Sequence, residues 1–145
     1  MATNNKQKLK LLHLMDTLRT ETDPEHGLTM PQLVEKLAEQ GFPAERKSLY
    51  RDIEALRDFG MDIRTLQKQP VQYCLAERDF ELSQLTLLVD AVQSSKFLSD
   101  GASRALVKSI KLLASTSEQD ALDKQVHVHC RPSRQNQSDF IAVDK

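Results

Sequence analysis

"RKSLYRDIEALRDFG", Arg46 to Gly60, is the stretch on which the reading of this chain turns. At about 100° per residue, Leu49, Ile53 and Leu56 fall on one side of a helix and form its apolar stripe. Lys47 and Arg51 then lie nearly opposite, with Glu54 beside them. Ser48 and Tyr50 occupy the flanks, and Arg46 stands at the N-terminal end. Asp52 and Asp58 fall toward the edge and the far end. A helix that only closes a core has no need of so many basic and hydroxyl side chains in its first turns. Taken alone, the stretch reads equally well as a solvated amphipathic face, so its neighbours decide.

Upstream, Leu9, Leu12, Met15 and Leu18, widened by Leu11, predict an amphipathic helix over Lys6 to Arg19, with Lys8, Asp16 and Arg19 off the apolar face. "TETDPEHG" (20–27) breaks it. Thr29 and Gln32 have the spacing of a capping box, and Pro31 is tolerated in a first helical turn. That second helix carries Leu33, Val34 and Leu37 inward and stops at Gly41, a natural C-terminal glycine. "GFPAE" (41–45), with Pro43, turns the chain sharply into the next helix, Glu45 to Phe59, which ends at Gly60. "DIRTL" (62–66) and "VQYCL" (71–75), around the polar turn "QKQP", predict a hairpin. Helix, helix, tight turn, helix, hairpin is the order of a winged helix-turn-helix. The expected fold is therefore mainly α with a small β-hairpin wing, over residues 1–78.

In that fold the N-terminal part of the third helix enters the major groove of DNA. Arg46, Lys47 and Arg51 suit guanine edges or phosphate oxygens, and the hydroxyls of Ser48 and Tyr50 suit phosphate. These five are the expected contacts. Arg64 and Lys68, on the wing at about 62–75, are expected to touch phosphate or the minor groove.

Composition narrows the alternatives. A chain of 145 residues with formal net charge -1 is no histone-like coat for nucleic acid, though a local basic patch remains open. No apolar run approaches the ~18 residues a membrane span needs. The start, "MATNNKQKLKLL", lacks the apolar core and cleavage site of a secretory signal. Cys74 and Cys130 alone, in a chain able to bury a core, fit reduced thiols and a cytoplasmic location.

After "AERD" the pattern changes. Leu85, Leu88, Val89 and Val92 make a wide stripe in an expected helix from Leu82 to Leu98. A second, Ser103 to Ala114, carries Leu106, Ile110 and Leu113. This surface exceeds what a small winged domain obviously needs. Residues 79–124 are therefore expected to be a helical linker or dimerisation segment, with those seven apolar side chains at a homodimer interface or in its core. "STSEQD" (115–120) breaks the pattern, with at most a short helical turn after it. "QVHVHC" (125–130) alternates like a strand, opening a connector over 125–145.

These motifs resemble a known family. "SLYRDIEALRDFGMDI" is similar to the winged helix-turn-helix of the WYL-domain transcriptional regulators, a DeoR-like bacterial group. "YCLAERDFELSQLTLLVDAVQSSKFLS" resembles the helical segment that follows it there, and "KQVHVHCRPSRQN…FIAVDK" the connector into a C-terminal sensor domain. The resemblance implies sequence-specific binding of double-stranded DNA by a homodimer, on two-fold related half-sites. It also implies a small-molecule or nucleotide effector acting through the sensor domain. Glu45 departs from the family's small capping residue, Lys47 from its usual Arg, and the hairpin "QKQPVQYCL" from its usual glycines. The Trp-Tyr-Leu triplet that names the sensor cannot be present, because the chain has no Trp. The chain is thus expected to be a fragment or a short form that ends as the sensor begins.

Other constellations are weaker. His127 and His129 on one strand face, with Cys130 on the other, fall short of the three or four ligands a metal needs, so no metal or cofactor is expected. Cys74 is expected to pack inside the wing, and His13 to be a half-exposed helical histidine. No phosphate loop, serine elbow or supported carboxylate pair suggests an enzyme. The rival function is a winged helix used for protein–protein interaction, its basic face merely solvated.

Overall fold

The computed structural model describes residues 2–128. Chain contacts divide it into two compact units, residues 1–78 and a second beginning at Asp79. Among the described residues it is mainly helical, with one small antiparallel sheet.

The first unit opens with α1 (Ala2–Glu21), longer at both ends than its apolar spacing suggested. Its buried face also differs. Lys10, Leu14, Thr17 and Leu18 are buried, with Leu11 and Met15 packed beside them, whereas Leu9 and Leu12 are exposed, Leu12 by 53%. The expected row fails for a geometric reason. Steps of three residues drift back about 60° each, so Leu9 ends on the side of the helix opposite Leu18.

Next come the short strand β1 (Leu28–Thr29), which the sequence reading did not foresee, and α2 (Met30–Glu39). The Thr29 hydroxyl accepts from Gln32 N at 3.3 Å, and Gln32 Oε1 accepts from Thr29 N at 2.8 Å, completing the expected capping box. Helix α2 buries Leu33 and Leu37, and Gly41 follows at φ 89°. After the Pro43 turn, α3 (Arg46–Phe59) buries Leu49, Ile53 and Leu56 and stops at Gly60, whose φ of 118° a side-chain-bearing residue adopts only under strain.

The hairpin is β2 (Ile63–Leu66) and β3 (Gln72–Leu75), registered Ile63 with Leu75 and Leu66 with Gln72. Strand β1 pairs with the other edge of β3, giving the order β1-β3-β2. Gly27 lets the chain come in this close, since a Cβ there would lie 2.8 Å from the Tyr73 carbonyl oxygen. Leucines of all three helices meet Ile63 and Leu75 of the sheet in one core. Cys74 is buried, as expected of a packing residue, and burial pushes its thiol pKa up.

The second unit contains α4 (Leu82–Ser94), α5 (Asp100–Lys111) and α6 (Thr116–Val128). Helix α4 ends at Ser94 rather than Leu98, because the Ser99 hydroxyl starts a new helix by accepting from Ala102 N at 3.1 Å. The larger correction is α6. Ser115 and Glu118 cap it reciprocally, Glu118 N donating to Ser115 Oγ at 3.2 Å and Ser115 N to Glu118 Oε1 at 3.1 Å. What read as a breaker is thus a helix start, and residues 125–128 continue that helix instead of forming a strand. His129, Cys130 and the rest of the 125–145 connector lie outside the described residues. The core of this unit is Leu85, Val89, Val107, Ile110, Ala114 and Leu122. No helix among the described residues is long and apolar enough to cross a membrane.

Candidate nucleic-acid interface

Helix α3 is held on three sides and open on the fourth. Its apolar side faces the core. On one flank, Ser48 and Asp52 stand a turn apart and both meet Lys10 of α1. The ammonium donates to the Ser48 hydroxyl and lies 3.0 Å from Asp52 Oδ2. On the other flank, Arg57 Nε donates to the Ile63 carbonyl at 3.0 Å, and its guanidinium pairs with Glu54 at 2.5 Å. Tyr50, on that flank too, meets Tyr73 of β3 edge-on, ring centroids 6.5 Å apart. Burial, followed by the neighbouring Tyr50, pushes the Tyr73 phenol above the ordinary tyrosine range, against the pull of Arg57 and Arg46.

The open side carries Lys47 and Arg51, with Arg46 at the N-terminal end. All three are exposed, and none makes a hydrogen bond or ion pair among the described residues. Of the other cations of this unit, Arg19 is paired with Asp16, Lys36 with Glu21, Arg57 with Glu54 and Arg64 with Asp62, whereas Lys6 and Lys8 of α1 are exposed and unpaired. The Glu45 side chain makes no capping bond to the α3 N-terminus. Its negative charge nonetheless stands at the positive end of the helix dipole, beside Arg46.

Of the other expected contacts, Tyr50 is exposed beside these cations. Ser48 is half-buried and turned toward Lys10. Arg64 is exposed but paired with Asp62 at 2.9 Å, and Lys68 Nζ donates to the Glu25 carbonyl at 3.2 Å. The hairpin's basic groups are thus engaged where Arg46, Lys47 and Arg51 of α3 are free. The base of the hairpin is also clasped. The Thr22 hydroxyl accepts from Leu75 N at 2.9 Å, and Arg78 donates to the carbonyls of Thr22 and Arg19, both at 2.8 Å. Sequence reasoning missed Lys10, Thr22 and Arg78. Lys10 had a legible signal, since it stands four residues before Leu14 on what proves to be the buried face.

In the second unit, the expected interface residues divide. Leu85, Val89 and Ile110 are core, closed over by α6, so they offer no surface to a partner; the reading lacked that helix and left its covering role to another chain. Val92 packs against the same core. Leu88, Leu106 and Leu113 remain exposed, and Leu87 and Leu112 are more so, at 69% and 72%. Among the described residues no cluster of three or more metal-ligating side chains occurs. His13 is half-buried, its ring tilted against Phe42 at 4.6 Å.

The chain matches no protein-family model, no curated protein and no solved structure.

Proposed function

We propose that residues 1–78 are a winged helix-turn-helix that binds double-stranded DNA in a sequence-specific manner, with α3 in the major groove and the β2–β3 hairpin as the wing. The observation that carries this reading is the charge state of α3: Arg46, Lys47 and Arg51 are exposed and unpaired, while most neighbouring cations are engaged. Exposed ion pairs are worth little, so a solvated face too can keep its cations free; what suits phosphate is their grouping on the one open side and N-terminal end of α3. The family resemblance to WYL-domain regulators points the same way, toward a cytoplasmic transcriptional regulator.

The test is selection of duplexes from random sequence, followed by Arg51→Ala and Lys47→Ala. A lost bidentate base contact costs about 1–3 kcal/mol of binding, with melting unchanged because both side chains are exposed. Normal melting with undiminished binding would remove α3 from the interface. Steep weakening with salt marks DNA binding through counterion release, whereas a protein-interaction module resting on apolar contacts keeps its affinity.

The same reading includes a homodimer on two-fold related half-sites, since one helix reads too few base pairs to find a site in a genome. The exposed Leu88, Leu106 and Leu113 are the surface proposed for it. Sedimentation of the parent over a wide concentration range checks this, and a strict monomer rejects it.

A further inference from the structure

Lys10 is an unusual residue to find at 3% exposure, because a buried ammonium is tolerated only when its charge and its donors are satisfied. Here α3 supplies both partners: the ammonium donates to the Ser48 hydroxyl, and Asp52 Oδ2 lies 3.0 Å away as its counter-charge without forming a hydrogen bond. The dependence is mutual, since that buried Asp52 oxygen has no hydrogen bond among the described residues and the ammonium alone compensates its charge. Apolar contacts among Leu14, Leu49 and Ile53 fix the roll of α3 about its own axis only coarsely, because aliphatic packing is non-directional. Two polar partners one turn apart, Ser48 by a hydrogen bond and Asp52 by its charge, both held on one buried ammonium, narrow it further. Ser48 and Asp52 stand next to Lys47 and Arg51 respectively, on consecutive turns. Drawing the first two inward onto α1 turns the second two outward.

We propose that Lys10 is a positioning residue for DNA recognition: it sets the roll of α3, and thereby aims Lys47 and Arg51, without touching DNA. The proposal rests on the DNA reading above. It also predicts something that charge alone would not. Removing a carboxylate from a DNA-facing helix strengthens its attraction to a polyanion, but removing this one frees the roll of the helix and weakens specific binding.

The experiment is Asp52→Asn, alongside the neutral exchange Lys10→Met/Asp52→Leu, which replaces the pair by apolar groups and keeps the net charge. Two readouts are compared. One is affinity for selected and for unrelated duplexes. The other is the tyrosine near-ultraviolet circular dichroism, a built-in reporter because the chain has no Trp and its only two tyrosines, Tyr50 and Tyr73, meet between α3 and β3. For both variants we expect cooperative melting, an altered tyrosine signal, about tenfold weaker binding to selected duplex and unchanged or tighter binding to unrelated duplex. Asp52→Asn binding selected duplex as tightly as the parent, or more tightly, with the parent's tyrosine signal, overturns the proposal. Should the double exchange fail to fold, Asp52→Asn alone decides, since it preserves shape. Should the parent bind no duplex, the DNA reading fails, and the tyrosine signal alone decides whether Lys10 sets the roll of α3.

Discussion

Residues 1–78 and the helices from Asp79 onward solve the same packing problem by different means. The first unit adds polar cross-links to its leucine core: Lys10 to Asp52 between α1 and α3, Arg57 to Ile63 between α3 and β2, Thr22 to Leu75 at the base of the hairpin. The second unit is built on a smaller aliphatic core, from Leu85 to Leu122, with Lys111 of α5 paired to Asp123 of α6, and leaves Leu87 and Leu112 largely in solvent. Aliphatic contacts hold elements together but tolerate rotation and sliding, whereas hydrogen bonds and charge pairs specify one arrangement. The first unit is built like a part whose geometry has to be right. In the second, what matters is which surface is covered.

The largest expected effect tests whether the two units are separate folding blocks. Leu49 and Leu85 are each fully buried, so replacing either with Ala costs about 2–5 kcal/mol. Leu49→Ala should lower amide hydrogen-exchange protection across α1 to β3 and leave α4 to α6 unchanged, and Leu85→Ala should do the reverse. Equal loss in both units from either substitution would join them in a single cooperative block. Next in size is Thr22→Val, which keeps the shape of the side chain but leaves the buried Leu75 N–H without its acceptor, at a cost of about 1–3 kcal/mol in urea unfolding. An unchanged midpoint would mean that the clasp at the base of the hairpin contributes nothing.

Smaller is the loss of a cap. Thr29→Ala and Ser115→Ala each remove a hydroxyl acceptor at a helix start, and about 1 kcal/mol is expected from each. Should Ser115→Ala prove silent, the start of α6 would depend on its packing instead of its cap. The smallest effect is pH-dependent. The folded state favours the neutral phenol of Tyr73, so this group's contribution is complete below the ordinary tyrosine pKa of about 10 and is lost as pH rises through its higher folded value. In the parent protein the Tyr73 phenol, followed by nuclear magnetic resonance of ring-labelled tyrosine, should titrate above the ordinary tyrosine value. Titration at the ordinary value would show that burial does not govern this side chain.

Much of the first unit was legible because its signals are local. The Thr29/Gln32 box, the glycines at 41 and 60, and the Leu49, Ile53, Leu56 stripe each act within a few residues, and the structure places each as expected. The failures came where a local pattern had two readings. "STSEQD" looked like a breaker, yet Ser115 and Glu118 have the same spacing as Thr29 and Gln32, and it starts a helix. Without α6, Leu85, Val89 and Ile110 looked like surface awaiting a partner; with it, they are the core.

The sequence by itself determined the order of the three helices and the hairpin through residue 75, the apolar face of α3 and the cations opposite it, because helix period, caps and turn residues act over a few positions of the chain. Only the tertiary structure decided which of the polar side chains are spent on holding the fold and which are left exposed and unpaired. Lys10 and Lys47 look alike in sequence. One is buried against Asp52 and the other is exposed and unpaired, because an ammonium's state depends on the charges brought within a few ångströms of it, and here the partner comes from a helix 42 positions further along.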